Sequence, residues 1–130
     1  MNLKIRIGFN PGFRTLYSGL QLKQFIDIGD KYDYDSIWLS DRFIGDDPLL
    51  EPTIALSLIA AYSTKLKFGT SVLALPLRNP VILAKQLATL DYLSNGRLLP
   101  AFGLGQQDPI QYKACGIDIK TRGARANESI

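Results

Sequence analysis

In "WLSDRF" a carboxylate, Asp41, is followed by a guanidinium, Arg42. A carboxylate at the end of a buried segment can orient a cofactor or accept a substrate proton. It can equally cap a loop and pair with its neighbour. A glycine-rich run, "GLGQQ" at 103–107, lacks the third glycine and the following helix of a dinucleotide fingerprint. Its glycines permit close approach to the chain, by a flat ring or by another stretch of backbone, and both readings stand. Cys115 has no activating base beside it, so it reads as a small filler rather than a nucleophile. The chain has no histidine at all, which excludes imidazole acid–base chemistry and histidine-ligated metal, and no metal site is expected.

The elements that must position these residues follow from periodicity and punctuation. "LKIRIGF" (3–9) alternates apolar and basic residues and reads as a strand, with Asn10 in the loop after it. "GLQLKQFIDIGDKY" (19–32) has Leu22, Phe25, Ile26 and Gly29 at helical spacing, with Ser18 as N-cap. "DSIWLSD" (35–41) is a second, buried strand, in which Trp38 reads as core. After the loop "RFIGDDPLLEP", "TIALSLIAAYST" (53–64) is a helix with Pro52 near its start. "LKFGTSVLAL" (66–75) is a third strand and runs into the corner "PLRNP" (76–80). Asn79 and Pro80 then form a helix start, an amide cap followed by a residue with pre-set φ. "VILAKQLATLDYL" (81–93) continues that helix and "SNGR" stops it. "RLLPAFGLG" (97–105) is a fourth strand, followed by a helical turn near 110–114 and a helix-prone "ARANESI".

The order β-α-β-α-β-α-β, with near-continuous apolar strands, predicts a parallel sheet covered by helices, either open or part of a barrel. In both, ligands sit at the carboxyl ends of the strands. That selects Asn10, Asp41, the segment Ser71–Leu77 and the segment Gly103–Gln107. The 130 residues suit one domain, and 46% hydrophobic with 21% charged residues suits a globular core. A net charge of +3 from scattered Lys and Arg gives no nucleic-acid footprint. The single cysteine fits a reducing cytoplasm. No apolar run reaches the ~20 residues of a membrane span, and the charged N-terminus is no signal peptide.

Taken together, "SIWLSDRF", "LKFGTSVLALPLRNPVILAKQLATLDYLSNGRL", "FGLG" and "RGARANES" resemble the bacterial luciferase-like family of flavin- and F420-dependent oxidoreductases. The match runs from about Lys4 to the last residue. The resemblance implies a (β/α)8 TIM-type barrel, with a reduced flavin or deazaflavin at the carboxyl ends of the strands. It implies a non-prolyl cis peptide at Ser71–Val72 that backs the ring, Gly103 as clearance, and Asp41 as the polar contact to ring or substrate and the one catalytic candidate. Coenzyme F420 is the first expectation and FMN the second, for hydride transfer or monooxygenation of a small-molecule substrate. Two departures stand out. Arg42 occupies the place where many F420-using members carry histidine, and Gln106 replaces an aromatic residue. A barrel of this kind takes ~250 residues. Residues 1–130 are therefore expected to be its N-terminal part, about four βα units, inactive alone. Such a fragment is expected to associate with the missing half or with another copy. The alternative is a non-catalytic flavin-binding or assembly half.

Overall fold

Side chains that take over orphan backbone amides set where the helices begin. In the computed structural model, which describes residues 5–12, 18–46 and 49–130, helix α1 (Gly19–Lys31) starts at Ser18, whose Oγ accepts from the Gln21 amide at 3.3 Å. Helix α2 (Pro52–Tyr62) starts at Glu51, which accepts from the Ile54 amide at 2.9 Å, with Pro52 supplying the first turn. Helix α3 (Pro80–Leu93) starts at Asn79, whose Oδ1 accepts from the Val81 and Ile82 amides. It stops at Asn95 and Gly96, both with positive φ (59° and 74°). Short α4 (Pro109–Ala114) is capped by Asp108, and α5 (Arg122–Ser129) follows a 3-10 turn at Ile119–Thr121. The predicted helices are all present, and "ARANESI" is entered two residues early, at Arg122.

Four parallel strands lie in the order β1 (Gly8–Phe9), β2 (Ser36–Leu39), β3 (Lys67–Thr70), β5 (Leu98–Leu99), and a second parallel pair joins β4 (Leu73–Ala74) to β6 (Phe102–Gly103). Ile37, Leu39, Phe68 and Leu98 share one sheet face and pack against Leu22 and Ile26 of α1 and Leu56 and Ile59 of α2. Each of these fully covered side chains contributes about 1.5–3 kcal/mol by leaving water. On the opposite face, Trp38 lies across its neighbours. A Cβ on Gly8 would come within 2.6 Å of Trp38 Nε1, and one on Gly69 would meet the Leu99 carbonyl oxygen at 2.0 Å. Glycine is therefore required at 69 for β3 and β5 to come together. This succession of parallel βα units, in sequence order across the sheet, is the fold of a (β/α)8 barrel, present here over four strands.

Three strand predictions change in detail. Of the expected strand 3–9, Gly8 and Phe9 alone pair; residues 3 and 4 lie outside the described residues, and Ile5 and Ile7 are exposed. Strand three breaks after Thr70 at a cis Ser71–Val72 peptide, resumes as β4, and closes in a 3-10 turn at Leu75–Leu77. Strand four breaks at Pro100, which has no amide to give the ladder. The two breaks face each other, and one hydroxyl spans them: Thr70 Oγ1 donates to the Ala101 carbonyl (2.9 Å) and accepts from the Ala101 amide (3.2 Å).

At the amino end of the sheet, Arg97 of "SNGR" holds three carbonyls: Ser94 and Leu66 at 2.8 Å and Ala60 at 2.9 Å, with its guanidinium 5.3 Å from the Phe68 ring. Burial lowers the Arg97 pKa from its usual range and the charge of Asp30 opposes that. Hydrogen bonds from a charged donor are worth about 1.5–3 kcal/mol each, and losing them strands buried acceptors. Arg97→Met is therefore expected to cost about 3 kcal/mol in urea unfolding monitored by far-UV circular dichroism. A loss under about 0.5 kcal/mol, the range of an ordinary surface substitution, would show that the three bonds do not hold this end together.

Candidate functional site

The residues picked from the sequence converge on the carboxyl end of the sheet. Asp41 follows β2, and its Oδ2 accepts from the Ala74 amide of β4 at 2.9 Å. Ala74 is the register partner of Gly103 in β6. The Ser71 amide donates to the Leu39 carbonyl of β2 at 2.8 Å. Asn10, after β1, accepts from the Gly12 amide and donates to Ser40 Oγ at 3.3 Å. Four strand ends thus meet on one rim.

What each residue does there differs from its type. Asp41 was expected to touch a ring or substrate, but its side chain is 2% exposed. Its two oxygens serve the Ala74 amide and Arg78 Nη2 at 2.9 Å. Its neighbour Arg42 is not the ion-pair partner shown for it; Arg78, 37 residues on, is. Gly103 was expected to clear space for a ring. A Cβ there would lie 2.6 Å from Val72 Cγ2, so the clearance is taken by Val72. Val72, the residue after the cis bond, is 43% exposed, and Ser71 is exposed beside it. This pair presents a small surface with one apolar and one hydroxyl side chain at the rim.

Arg78 links three elements. Nη2 binds Asp41, Nη1 binds Glu51 Oε1 at 2.8 Å, and its guanidinium lies 4.8 Å from the Phe43 ring centre. Its Nε is buried without a hydrogen-bond partner. Glu51 also accepts from Thr53 Oγ1 at 2.5 Å and from the Ile54 amide. Burial on its own would raise the Glu51 pKa; the bonds from Thr53, Ile54 and Arg78, with the Arg78 charge, outweigh it and the net shift is downward.

The loops after β2 and β6 are fastened by α4. Gln111, 3% exposed, accepts from the Phe43 amide at 3.0 Å and donates to Gln106 Oε1 at 3.4 Å. Tyr112 donates its hydroxyl proton to the Leu104 carbonyl; burial raises its pKa, with the charge of Arg122 opposing. Arg125 of α5 donates from Nε to the Pro76 carbonyl at 3.0 Å. Cys115 is a half-buried thiol beside the cluster of Ala74, Leu77 and Tyr112, as a filler would be. Sequence reading missed Glu51, Thr70, Gln111, Tyr112 and Arg125. For Glu51 a signal existed, an acceptor directly before a helix-starting proline; the polar residues of α4 carry none.

A cleft of about 490 Å³ between α2 and α3, lined by Ile54, Ala61, Leu87 and Leu93 among others, contains none of Asn10, Asp41, Ser71, Val72 and Gly103. Among the described residues no three His, Cys, Asp or Glu side chains gather as metal ligands, and no helix is long and apolar enough to cross a membrane.

Comparison with known proteins gives these positions a setting. Residues 16–130 match the family of luciferase-like monooxygenases. The chain is 26% identical over 125 residues to a 4-hydroxyprotoasukamycin monooxygenase of Streptomyces nodosus subsp. asukaensis, covering 95% of the chain and 32% of that protein. It is 28% identical to an F420-dependent glucose-6-phosphate dehydrogenase of Kineococcus radiotolerans, covering 97% and 39%. The oxygenating constituent of 3,6-diketocamphane monooxygenase from Pseudomonas putida, solved with FMN, superposes with a TM-score of 0.79 at 21% identity, over 98% of this chain and 37% of that one. The chain therefore spans about a third to two fifths of the length of the relatives it matches.

The lowered Glu51 pKa fixes a pH dependence. Stability from its contacts is fully present above the ordinary value of 4.5 and is lost as pH falls through the lower folded value. Glu51→Gln is expected to be less stable than the parent at neutral pH and to lose less on acidification below 4.5, in urea unfolding at a series of pH values. Parallel acid limbs for the two proteins would contradict the shift.

Proposed function

Because the chain belongs to the luciferase-like monooxygenase family, we propose that its rim forms part of a cofactor site for a reduced deazaflavin or flavin, acting on a small-molecule substrate. F420 is the first choice and FMN the second, in keeping with the F420-dependent relative and the FMN-bound structural neighbour. The observation that carries this reading is the broken end of the third strand. Val72 at that break is exposed, and Gly103 across the rim has no side chain to lift Val72 away. An exposed apolar side chain on a braced strand end is what a flat ring needs at its back.

When bound, such a cofactor supplies a hydride or activates oxygen, and the protein supplies placement. In this chain Val72 would back the ring and the Ser71 hydroxyl would be its polar neighbour. Asp41 would act by holding Ala74, since both of its oxygens are already engaged. Gly103 would act by accommodating Val72. The four units are read as the N-terminal part of the barrel, the remaining strands completing the cup.

A second reading has its own support: the chain covers only 32% and 39% of its relatives, and β1 and β5 each have a single strand partner among the described residues. On that reading the chain is an assembly half that binds cofactor only after pairing with a completing half or with another copy, which would also cover the open edges.

Titration of the folded 130-residue chain with F420 and with FMN, followed by fluorescence, separates the two. The first reading expects saturable binding that Gly103→Ala weakens about tenfold, since displacing a packed neighbour costs about 1–3 kcal/mol. A folded chain that binds neither cofactor overturns it in favour of the assembly reading.

A further inference from the structure

Ala74 is where the rearranged end of strand three is fastened to strand two, through a carboxylate rather than through the ladder. That carboxylate is almost wholly buried, and its ion-pair partner among the described residues is Arg78, itself 12% exposed. A buried carboxylate that loses its cation must protonate or turn toward water, because an unpaired buried charge is costly. In the first case it holds the Ala74 amide more weakly, as a neutral acceptor, and in the second it leaves it. Arg78 is in turn kept in place from the other side by Glu51 at the start of α2. One guanidinium is thus divided between two carboxylates on two different elements. Its fork geometry allows that, while the point charge of a lysine does not reproduce it.

We propose that Arg78 is a positioning residue of the rim: by sharing its guanidinium between Asp41 and Glu51 it keeps Asp41 on the Ala74 amide and so fixes the surface formed by Ser71 and Val72. This rests on the reading above that the surface backs a cofactor. Arg78 itself is turned into the protein, with Nη1 and Nη2 occupied, and acts on that surface only through Asp41 and Ala74. Phe43, against which the guanidinium stacks, brings in the loop after β2, whose amide is held by Gln111. The same cation therefore coordinates the ends of β2, β4 and the α4 side of the rim.

The test compares two backbone amides by hydrogen exchange in the folded chain. The Ala74 amide reports the clamp. The Phe68 amide, bonded to the Arg97 carbonyl at 3.1 Å in the body of the sheet, reports global stability. In Arg78→Met, Ala74 is expected to exchange about tenfold faster relative to Phe68 than in the parent, the size expected for loss of one charge-assisted bond. The Val72 methyl signals are expected to move with it. Arg78→Lys, which keeps the charge and folds more readily, is expected to fall between, and Glu51→Gln to have the smallest effect. Equal acceleration of both amides in Arg78→Lys, with unmoved Val72 methyls, would make Arg78 a general stabiliser and overturn the proposal. Cofactor titration of the same variants keeps the two readings apart. If the parent binds neither F420 nor FMN, the cofactor reading fails and the amide ratio still decides the clamp. If the parent binds, Arg78→Lys is expected to bind about tenfold more weakly. Unchanged affinity despite a loosened Ala74 would show that the clamp does not serve the site.

Discussion

A parallel sheet cannot carry a rearranged strand end without leaving backbone amides and carbonyls to be satisfied in another way, and that obligation organises this rim. Unpaired polar groups of the main chain cost about 1–3 kcal/mol each when buried. Here side chains take over. Thr70 Oγ1 stands in for a ladder partner toward both polar groups of Ala101. Asp41 serves the Ala74 amide, Arg125 the Pro76 carbonyl, Gln111 the Phe43 amide and Tyr112 the Leu104 carbonyl. Apart from Tyr112 and Leu104, eight residues apart, the rim is thus held by contacts between residues far apart in sequence.

The two ends of the sheet solve different problems with the same residue type. At the amino end, Arg97 donates to three carbonyls and stacks over Phe68, joining α2, β3 and the end of α3, with the charge of Asp30 nearby. At the carboxyl end, Arg78 meets two carboxylates. Neutral acceptors let Arg97 hold the end together at little desolvation cost beyond its own. Paired charges are a poorer source of stability, because the desolvation of Asp41 and Arg78 offsets much of their attraction, while Glu51 stays partly exposed. An arrangement that favours ions over apolar packing at the rim fits a role in placement rather than in holding the fold together.

Legibility in the sequence follows the range of the interactions. Helix starts were readable because caps act within three residues: Ser18, Asn79 and Pro80 were identified from local chemistry alone. The strands were readable as apolar runs, and their parallel order followed from the intervening helices. The interruption of strand four at Pro100 was visible in principle, since proline cannot donate. The bridge by Thr70 was not, because its partner Ala101 is 31 residues away. The sequence marked positions that meet at one rim but not the contacts that they make there. Asp41, Ser71, Val72 and Gly103 do come together, but nothing near Asp41 in the sequence announces Arg78, and nothing near Gly103 announces Val72.

That gap between position and role bears on how rims of this kind are read. An aspartate at a strand end invites assignment to the chemistry, since a carboxylate there could take a proton. Its geometry shows a different use: with 2% exposure and one hydrogen bond on each oxygen, the group is turned into the protein and has little room to move. Ser71 and Val72, exposed at the same rim among the described residues, carry a hydroxyl and an apolar side chain, neither of them an acid–base group near neutral pH. What these four units show at the rim is a surface whose shape is set by the contacts behind it. In such a site the charged residues matter most for where they hold the backbone.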